Sequence, residues 1–286
     1  MGTKEKLARL AAAALKGAAG LLGSRSRAYL LALFAEELAP VERLRIAGRE
    51  VRFFCPGPIP VWRAETFFTK EPETLEWMDG FAENGVFWDI GANVGLYSLY
   101  AAFKRNMRVL SFEPESSNYY VLNRNILLNQ LDGRVSAYCL AVNNARELGV
   151  LNLSDPKIGA AVHCFGEERS SLACGGMSSG VSLRQGMIGL SVDELVSDYS
   201  LPVPHHIKID VDGNEDRIIA GAARTLARPE LRSVLIELDT ADKPYVANVT
   251  RRIEQAGLKL RSVKHAPMFD GGKFASIYNH IFVRDG

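Results

Sequence analysis

The run Asp89-Ile90-Gly91-Ala92-Asn93-Val94-Gly95 decides the fold of this 286-residue chain. It joins a short apolar strand, Val86–Ile90, to a helix expected over Leu96–Phe103, so it reads as the turn of a strand–turn–helix unit. Outward from it the same alternation repeats. Arg108–Phe112 reads as a strand, Ser116–Asn129 as a helix and Val135–Val142 as a strand again. Further along come a strand at Ile207–Val211, a helix at Glu215–Leu226, a strand at Ser233–Leu238 and a helix at Val246–Gln255. Leu258–Val263 and Ser276–Val283 follow as strands around a Gly271-Gly272 loop. Such alternation implies an α/β fold, a parallel sheet with helices on both faces that binds ligands at the carboxyl ends of its strands.

Two segments precede this domain, which spans 81–286. Residues 1–40 form a helical extension whose second helix, Arg27–Leu38, ends before Pro40. Residues 41–80 hold a hairpin and a lead-in helix. The hairpin pairs Leu44–Ile46 with Glu50–Phe54 across Ala47-Gly48, and Pro56-Gly57-Pro58 closes it. Pro72 then opens a helix at Glu73–Phe81, in the first-turn position that proline tolerates. Within the main domain, 143–204 is too long for one crossover. It contains a strand at Leu148–Leu153, a Ser/Gly-rich tract at Ser170–Gly186, and a helix at Ser191–Val196 with Ser191 and Glu194 as its capping box. The insertion suits a lid or substrate loop, or a plain surface loop.

The glycine turn also carries chemistry. Gly91 and Gly95 allow backbone shapes and close approaches that a side chain would block. Asp89 ends the strand with a carboxylate able to hold an ammonium group, and Asn93 tolerates left-handed backbone while offering a donor and an acceptor. A dinucleotide fingerprint would be G-x-G-x-x-G, but its second glycine is Asn93 here and its third is Leu96. Asp89 would also repel a pyrophosphate. A zwitterionic amino acid linked to a nucleoside suits this turn better. Glu113, ending the second strand, supplies a carboxylate for ribose hydroxyls in either cofactor class.

The sequence resembles the FkbM family of S-adenosylmethionine-dependent O-methyltransferases. The resemblance rests on Gly85-x-x-x-Asp89-Ile90-Gly91-Ala92-Asn93-Val94-Gly95, on Phe112-Glu113-Pro114 with Asn125 downstream, and on Ile207-Lys208-Ile209-Asp210-Val211-Asp212-Gly213-x-Glu215. Glu71-Pro72-Glu73-Thr74 is similar to the family's lead-in, and Asp212 stands where the family usually has Glu. The resemblance runs from about Lys70 to Arg284 and implies a Rossmann-like class I methyltransferase, with a mostly parallel seven-stranded sheet whose last strand is antiparallel. It implies methyl transfer from S-adenosyl-L-methionine to a hydroxyl of a sugar, glycan or secondary metabolite. By position, Asp89, Gly91, Ala92, Asn93 and Gly95 would surround the methionine part of the cofactor and Glu113 its ribose. Ala141 and Val142 would lie beside the adenine, with Glu71 at the amino acid end.

A hydroxyl acceptor needs its oxygen in line with the methyl–sulfur bond and its proton removed. The carboxyl ends of the central strands offer Asp210, with Asp212 behind it, and Glu237 and Asp239 on the neighbouring strand. Asp210 is the first choice as general base or orienting carboxylate, and Glu237 the second. Glu215 suits the start of its own helix. His205 and His206 precede their strand and stand at the wrong end of the sheet. His163, in the insertion, and His265, after an edge strand, are lesser candidates. No metal site is expected, since Glu237-Leu238-Asp239 is only loosely similar to the carboxylate pair of metal-dependent relatives.

Bulk composition reads as that of an ordinary soluble globular protein. The chain is 47% hydrophobic and 23% charged, with a net charge of +1. No basic stripe stands out, which disfavours nucleic acid as a partner. Cys55, Cys139, Cys164 and Cys174 include no C-x-x-C pair, so zinc is not expected and the thiols read as reduced in a cytoplasmic protein. Near the N-terminus Leu7, Leu10, Ala14 and Ala18 share one helical face beside Lys4, Lys6, Arg9 and Lys16. That helix suits packing on the body, a subunit contact in a homo-oligomer, or a peripheral membrane contact. Competing readings of the whole are a NAD-dependent oxidoreductase and a non-catalytic scaffold that keeps the fold.

Overall fold

The computed structural model describes residues 2–166 and 180–285, so Cys174 and the first part of the Ser/Gly-rich tract lie outside the described residues. The chain forms two compact units, Met1–Val41 and Glu42–Gly286. The first consists of helices α1 (Thr3–Ala19) and α2 (Ser24–Glu37), which pack on each other.

Next in the chain is the hairpin of β1 (Val41–Ile46) and β2 (Arg49–Phe54), which belongs to the second unit from Glu42 on. Ala47 and Gly48 both have positive φ, 50° and 77°, as a two-residue turn of this hand requires. Three short helices follow: α3 (Pro58–Glu65), α4 (Phe67–Lys70) and α5 (Pro72–Asp79). The first two were not foreseen. Pro58 looked like a breaker and is instead the first residue of α3, where its missing N–H is no loss.

The main sheet is built from β3 (Val86–Ile90), α6 (Leu96–Arg105), β4 (Arg108–Phe112), α7 (Ser116–Leu128) and β5 (Val135–Tyr138). Four strands and a helix then intervene: β6 (Ala141–Asn143), β7 (Glu147–Leu153), β8 (His163–Phe165), β9 (Leu183–Ser191) and α8 (Val192–Ser197). The sheet resumes with β10 (His206–Ile209), α9 (Glu215–Ala220), α10 (Ala223–Leu226), β11 (Ser233–Asp239), α11 (Lys243–Gln255), β12 (Lys259–Lys264) and β13 (Ile277–Val283). Its order is β12-β13-β11-β10-β3-β4-β5, with β13 antiparallel to its neighbours. This is the expected Rossmann-like α/β fold, down to the antiparallel last strand. Trp88, Ile90, Phe112, Ile207, Ile209 and Ile236 belong to the core that holds it.

Three boundaries differ from expectation. Val135–Val142 is not one strand. The chain leaves the main sheet after Tyr138, and Ala141–Asn143 pairs in parallel with Gly189–Ser191 in a separate four-stranded sheet, β6-β9-β7-β8. Among the described residues of the insertion, β7, β8 and β9 are paired strands of this sheet. The segment expected as one helix over Glu215–Leu226 is two, α9 and α10, separated at Gly221 and Ala222. Gly221 packs against β6, where a Cβ would stand 2.4 Å from the Asn143 carbonyl oxygen.

The hairpin docks on α7 through two asparagines. Asn129 accepts from the Arg52 N–H at 2.9 Å and donates to the Arg52 carbonyl at 2.7 Å. Asn125 accepts from the Phe54 N–H at 2.6 Å and donates to the Val94 carbonyl at 2.7 Å, which ties the hairpin to the glycine turn.

Candidate active site

A cavity of about 790 Å³ opens at the carboxyl ends of the central strands, where ligands of such sheets bind. Its floor is the glycine turn. Gly91 has φ +83°, and a Cβ there would stand 1.9 Å from the Asp210 carbonyl oxygen, so only glycine lets the ends of β3 and β10 meet. Asn93, at φ 50°, holds three parts together. Its N–H donates to Glu113 Oε2 at 2.7 Å, its side-chain amide donates to the Ala160 carbonyl at 2.9 Å, and its Oδ1 accepts from the Val94 N–H. Glu113 also accepts from the Glu115 N–H at 2.9 Å. Burial pushes the Glu113 carboxyl up to about 8, against those two hydrogen bonds.

The site residues expected from sequence divide into two groups. Gly91, Asn93, Glu113, Ala141 and Val142 line the cavity, and so do Glu71, Asp210 and Glu237. Asp89, Ala92 and Gly95 stand behind that lining. Asp89 is buried in β3, where its Oδ2 accepts from Ser98 Oγ at 2.5 Å and its Oδ1 has no hydrogen-bond partner. Ala92 donates its N–H to the Phe112 carbonyl. A Cβ on Gly95 would stand 2.3 Å from Leu122 Cδ1, so that glycine serves the packing of α6 on α7.

Lys208 is the centre of the charge arrangement, and no role was read for it in the sequence. It is 1% exposed, pairs with Asp210 Oδ2 at 2.5 Å and lies 4.7 Å from the centre of the Tyr97 ring. In the sheet it stands level with Asp89. Burial opposes its charge, but Asp210, Glu71 and Asp89 outweigh burial and raise its pKa. Asp210 is correspondingly lowered to about 2, with Lys208 and Lys70 overcoming its burial. Glu71 is lowered too: burial opposes, while Lys70 at 2.5 Å and Lys208 prevail. Glu237 goes the other way. Burial, and then the charges of Asp210 and Glu71, raise its pKa well above the carboxylate range.

The remaining candidates find other places. Asp212 accepts from the Val162 and His163 N–H groups at 2.6 and 3.0 Å, and burial raises it to about 6. Glu215 accepts from the Gly213 N–H and from Tyr245 Oη beside the start of α9. His163 lines the cavity with both ring nitrogens buried and without a hydrogen-bond partner, and burial lowers its pKa. His265 also borders the cavity, but its ring is engaged by Asp270 at 3.0 Å and the Ile277 carbonyl at 3.2 Å. His205 and His206 are at the amino end of β10. Among the described residues, no group of three or more His, Cys, Asp or Glu side chains is arranged to hold a metal ion.

The cavity's mouth was not foreseen either. Trp62 on α3, and Phe269, Lys273 and Phe274 from the β12–β13 loop, border it with Arg63 and Lys70. Lys70 lies 5.9 Å from the Phe269 ring centre and Lys273 5.6 Å from that of Phe274.

Comparison with known proteins agrees with this geometry. A family model for the methyltransferase FkbM domain matches residues 89–260. The hexuronic acid methyltransferase AglP of Haloferax volcanii is 23% identical over 220 residues, spanning 77% of this chain and 82% of its own length. The crystal structure of methyltransferase FkbM from Methylobacillus flagellatus KT shares the fold, with a TM-score of 0.51 and 12% identity over 78% of this chain. The match covers 52% of that protein, so this chain spans about half its length. With well over half its residues matched, from the glycine turn past the Lys208–Asp210 pair, the chain belongs to the FkbM methyltransferase family.

Proposed function

We propose that the protein is an S-adenosylmethionine-dependent O-methyltransferase whose acceptor is a sugar hydroxyl, with a hexuronic acid as the first candidate. One observation carries the reading. A single cavity is lined by Glu113 and Asn93, by the apolar Leu140, Ala141 and Val142, and by the carboxylates Glu71, Asp210 and Glu237. Those three sets suit the ribose, the adenine and the ammonium group of the cofactor. The volume falls in the range of about 300–1,000 Å³ usual for such ligands. The unpartnered ring nitrogens of His163 on the cavity wall offer a polar contact to a nucleoside.

S-adenosylmethionine, when bound, supplies a methyl group activated by its sulfonium charge. The chain's own residues then position the acceptor and take its proton. Asp210, the first choice from sequence, is tied to Lys208 and is a weak base at about 2, which suits orientation better than proton transfer. Glu237 has the higher proton affinity, and a cation beside it would lower its pKa and free its carboxylate to accept the hydroxyl proton. At the mouth, Trp62, Phe269 and Phe274 offer aromatic faces to sugar C–H groups, and Arg63 and Lys273 offer cations to a sugar carboxylate. The substrate in the name of the Haloferax volcanii relative supports that last choice. The test is mass spectrometry of hexuronic acids and neutral hexoses incubated with enzyme and S-adenosylmethionine. Methylated hexuronic acid is expected. Methylation of neither class, or transfer to a nitrogen acceptor alone, would overturn the proposal.

A further inference from the structure

We propose that α1 docks on the surface of an anionic phospholipid bilayer. This rests on the first unit alone and stands apart from the reading of the cavity. Leu7 and Leu10 follow at i and i+3, and Ala14 and Ala18 extend the same side of the helix. Leu7 is 69% exposed and Leu10 68%, and in the turn after the helix Leu21 is 91% exposed. Single exposed leucines are ordinary, but a contiguous apolar stripe on one helix face calls for a partner.

Charge identifies the partner. Lys6, Arg9 and Lys16 lie away from the stripe, Lys4 borders it, and Glu5 is the helix's one acid. The first unit holds six cations and three acids, although the whole chain is near neutral at +1. A second copy of α1 laid on the first would bring like charges together, whereas anionic headgroups complement them. A helix of this kind lies in the interface plane, with leucines in the acyl boundary and lysine stems reaching back to the headgroups. Among the described residues no helix is long and apolar enough to cross a membrane, which agrees with surface binding by this one.

The test is co-sedimentation of the full chain with vesicles of phosphatidylcholine alone or mixed with phosphatidylglycerol. The protein should pellet with the mixed vesicles and release as salt rises. Leu7→Glu/Leu10→Glu should weaken binding more than about tenfold. Lys6→Gln/Arg9→Gln/Lys16→Gln should weaken it about fivefold per cation. Both variants should melt at the wild-type temperature. The proposal is overturned if wild type ignores phosphatidylglycerol at low salt, or if it binds both vesicle types equally. It also fails if the glutamate variant binds as wild type does, or if that variant merely splits a dimer that never bound lipid.

Discussion

Lys208 and Asp210 form a buried ion pair at 2.5 Å where β10 ends, beneath the cavity that Asp210 helps to line. The charge of Lys208 also reaches Glu71, which Lys70 pairs with directly, and Asp89, where burial outweighs it and raises the carboxyl. A buried pair of this sort contributes little net stability, but removing one partner strands the others.

Lys208→Met should therefore destabilise the fold by about 3–5 kcal/mol, read as a lower urea midpoint. Lys208→Met/Asp210→Asn should recover part of the loss. Equal stability of wild type and Lys208→Met would remove the lysine from its central place.

Glu237 gives a pH signature. Its pKa is raised well above the carboxylate range, so as a proton acceptor it works only once deprotonated. Activity should climb with pH through a limb above the ordinary carboxylate range. Glu237→Gln should abolish that limb and lower kcat by about 10²–10⁴-fold. A variant with wild-type kcat and an unchanged pH profile would return the role of base to another residue.

His206 ties stability to acid. Its ring stacks on Phe81 at 3.7 Å and 2°, hydrogen-bonds with Ser233 Oγ at 2.7 Å, and is only 7% exposed. Burial, then the nearby His205 and Arg232, lower its pKa from 6.5 to about 3. The folded state thus holds the neutral ring while the unfolded chain binds a proton below 6.5. This contribution is complete above pH 6.5 and is lost as pH falls toward 3. In thermal melts His206→Gln should flatten the decline across that window, even if it lowers stability at neutral pH.

Gly91→Ala should lose about 2–4 kcal/mol, from left-handed backbone strain and the clash with the Asp210 carbonyl together. Chemical denaturation reads the loss, and the separation of β3 from β10 should also weaken cofactor binding.

Most of the sheet was legible because its strands are short, apolar and bounded by turn residues. The glycine turn was legible because Gly91, Asn93 and Gly95 sit where left-handed backbone is needed. Lys208 was quoted in a motif and given no function, yet the signal was present. A lysine between Ile207 and Ile209, on a strand buried on both faces, needs a carboxylate nearby. The end of β5 was misread because Val135–Val142 is apolar but for Ser136, and periodicity cannot show where a strand changes sheets. Trp62, Phe269 and Lys273 converge on the mouth from segments far apart in sequence, so no local pattern marks them. Asp89 and Gly95 kept their places in the turn, but the structure uses them behind the cavity, against Ser98 and Leu122.

Calorimetric titration of the protein with S-adenosylhomocysteine, with NAD titrated in parallel, tests the central claim most directly. Saturable binding of S-adenosylhomocysteine at one site is expected, with no comparable binding of NAD and a roughly tenfold or greater loss of affinity in Glu113→Ala. No heat with S-adenosylhomocysteine, or tighter binding of NAD, would contradict it.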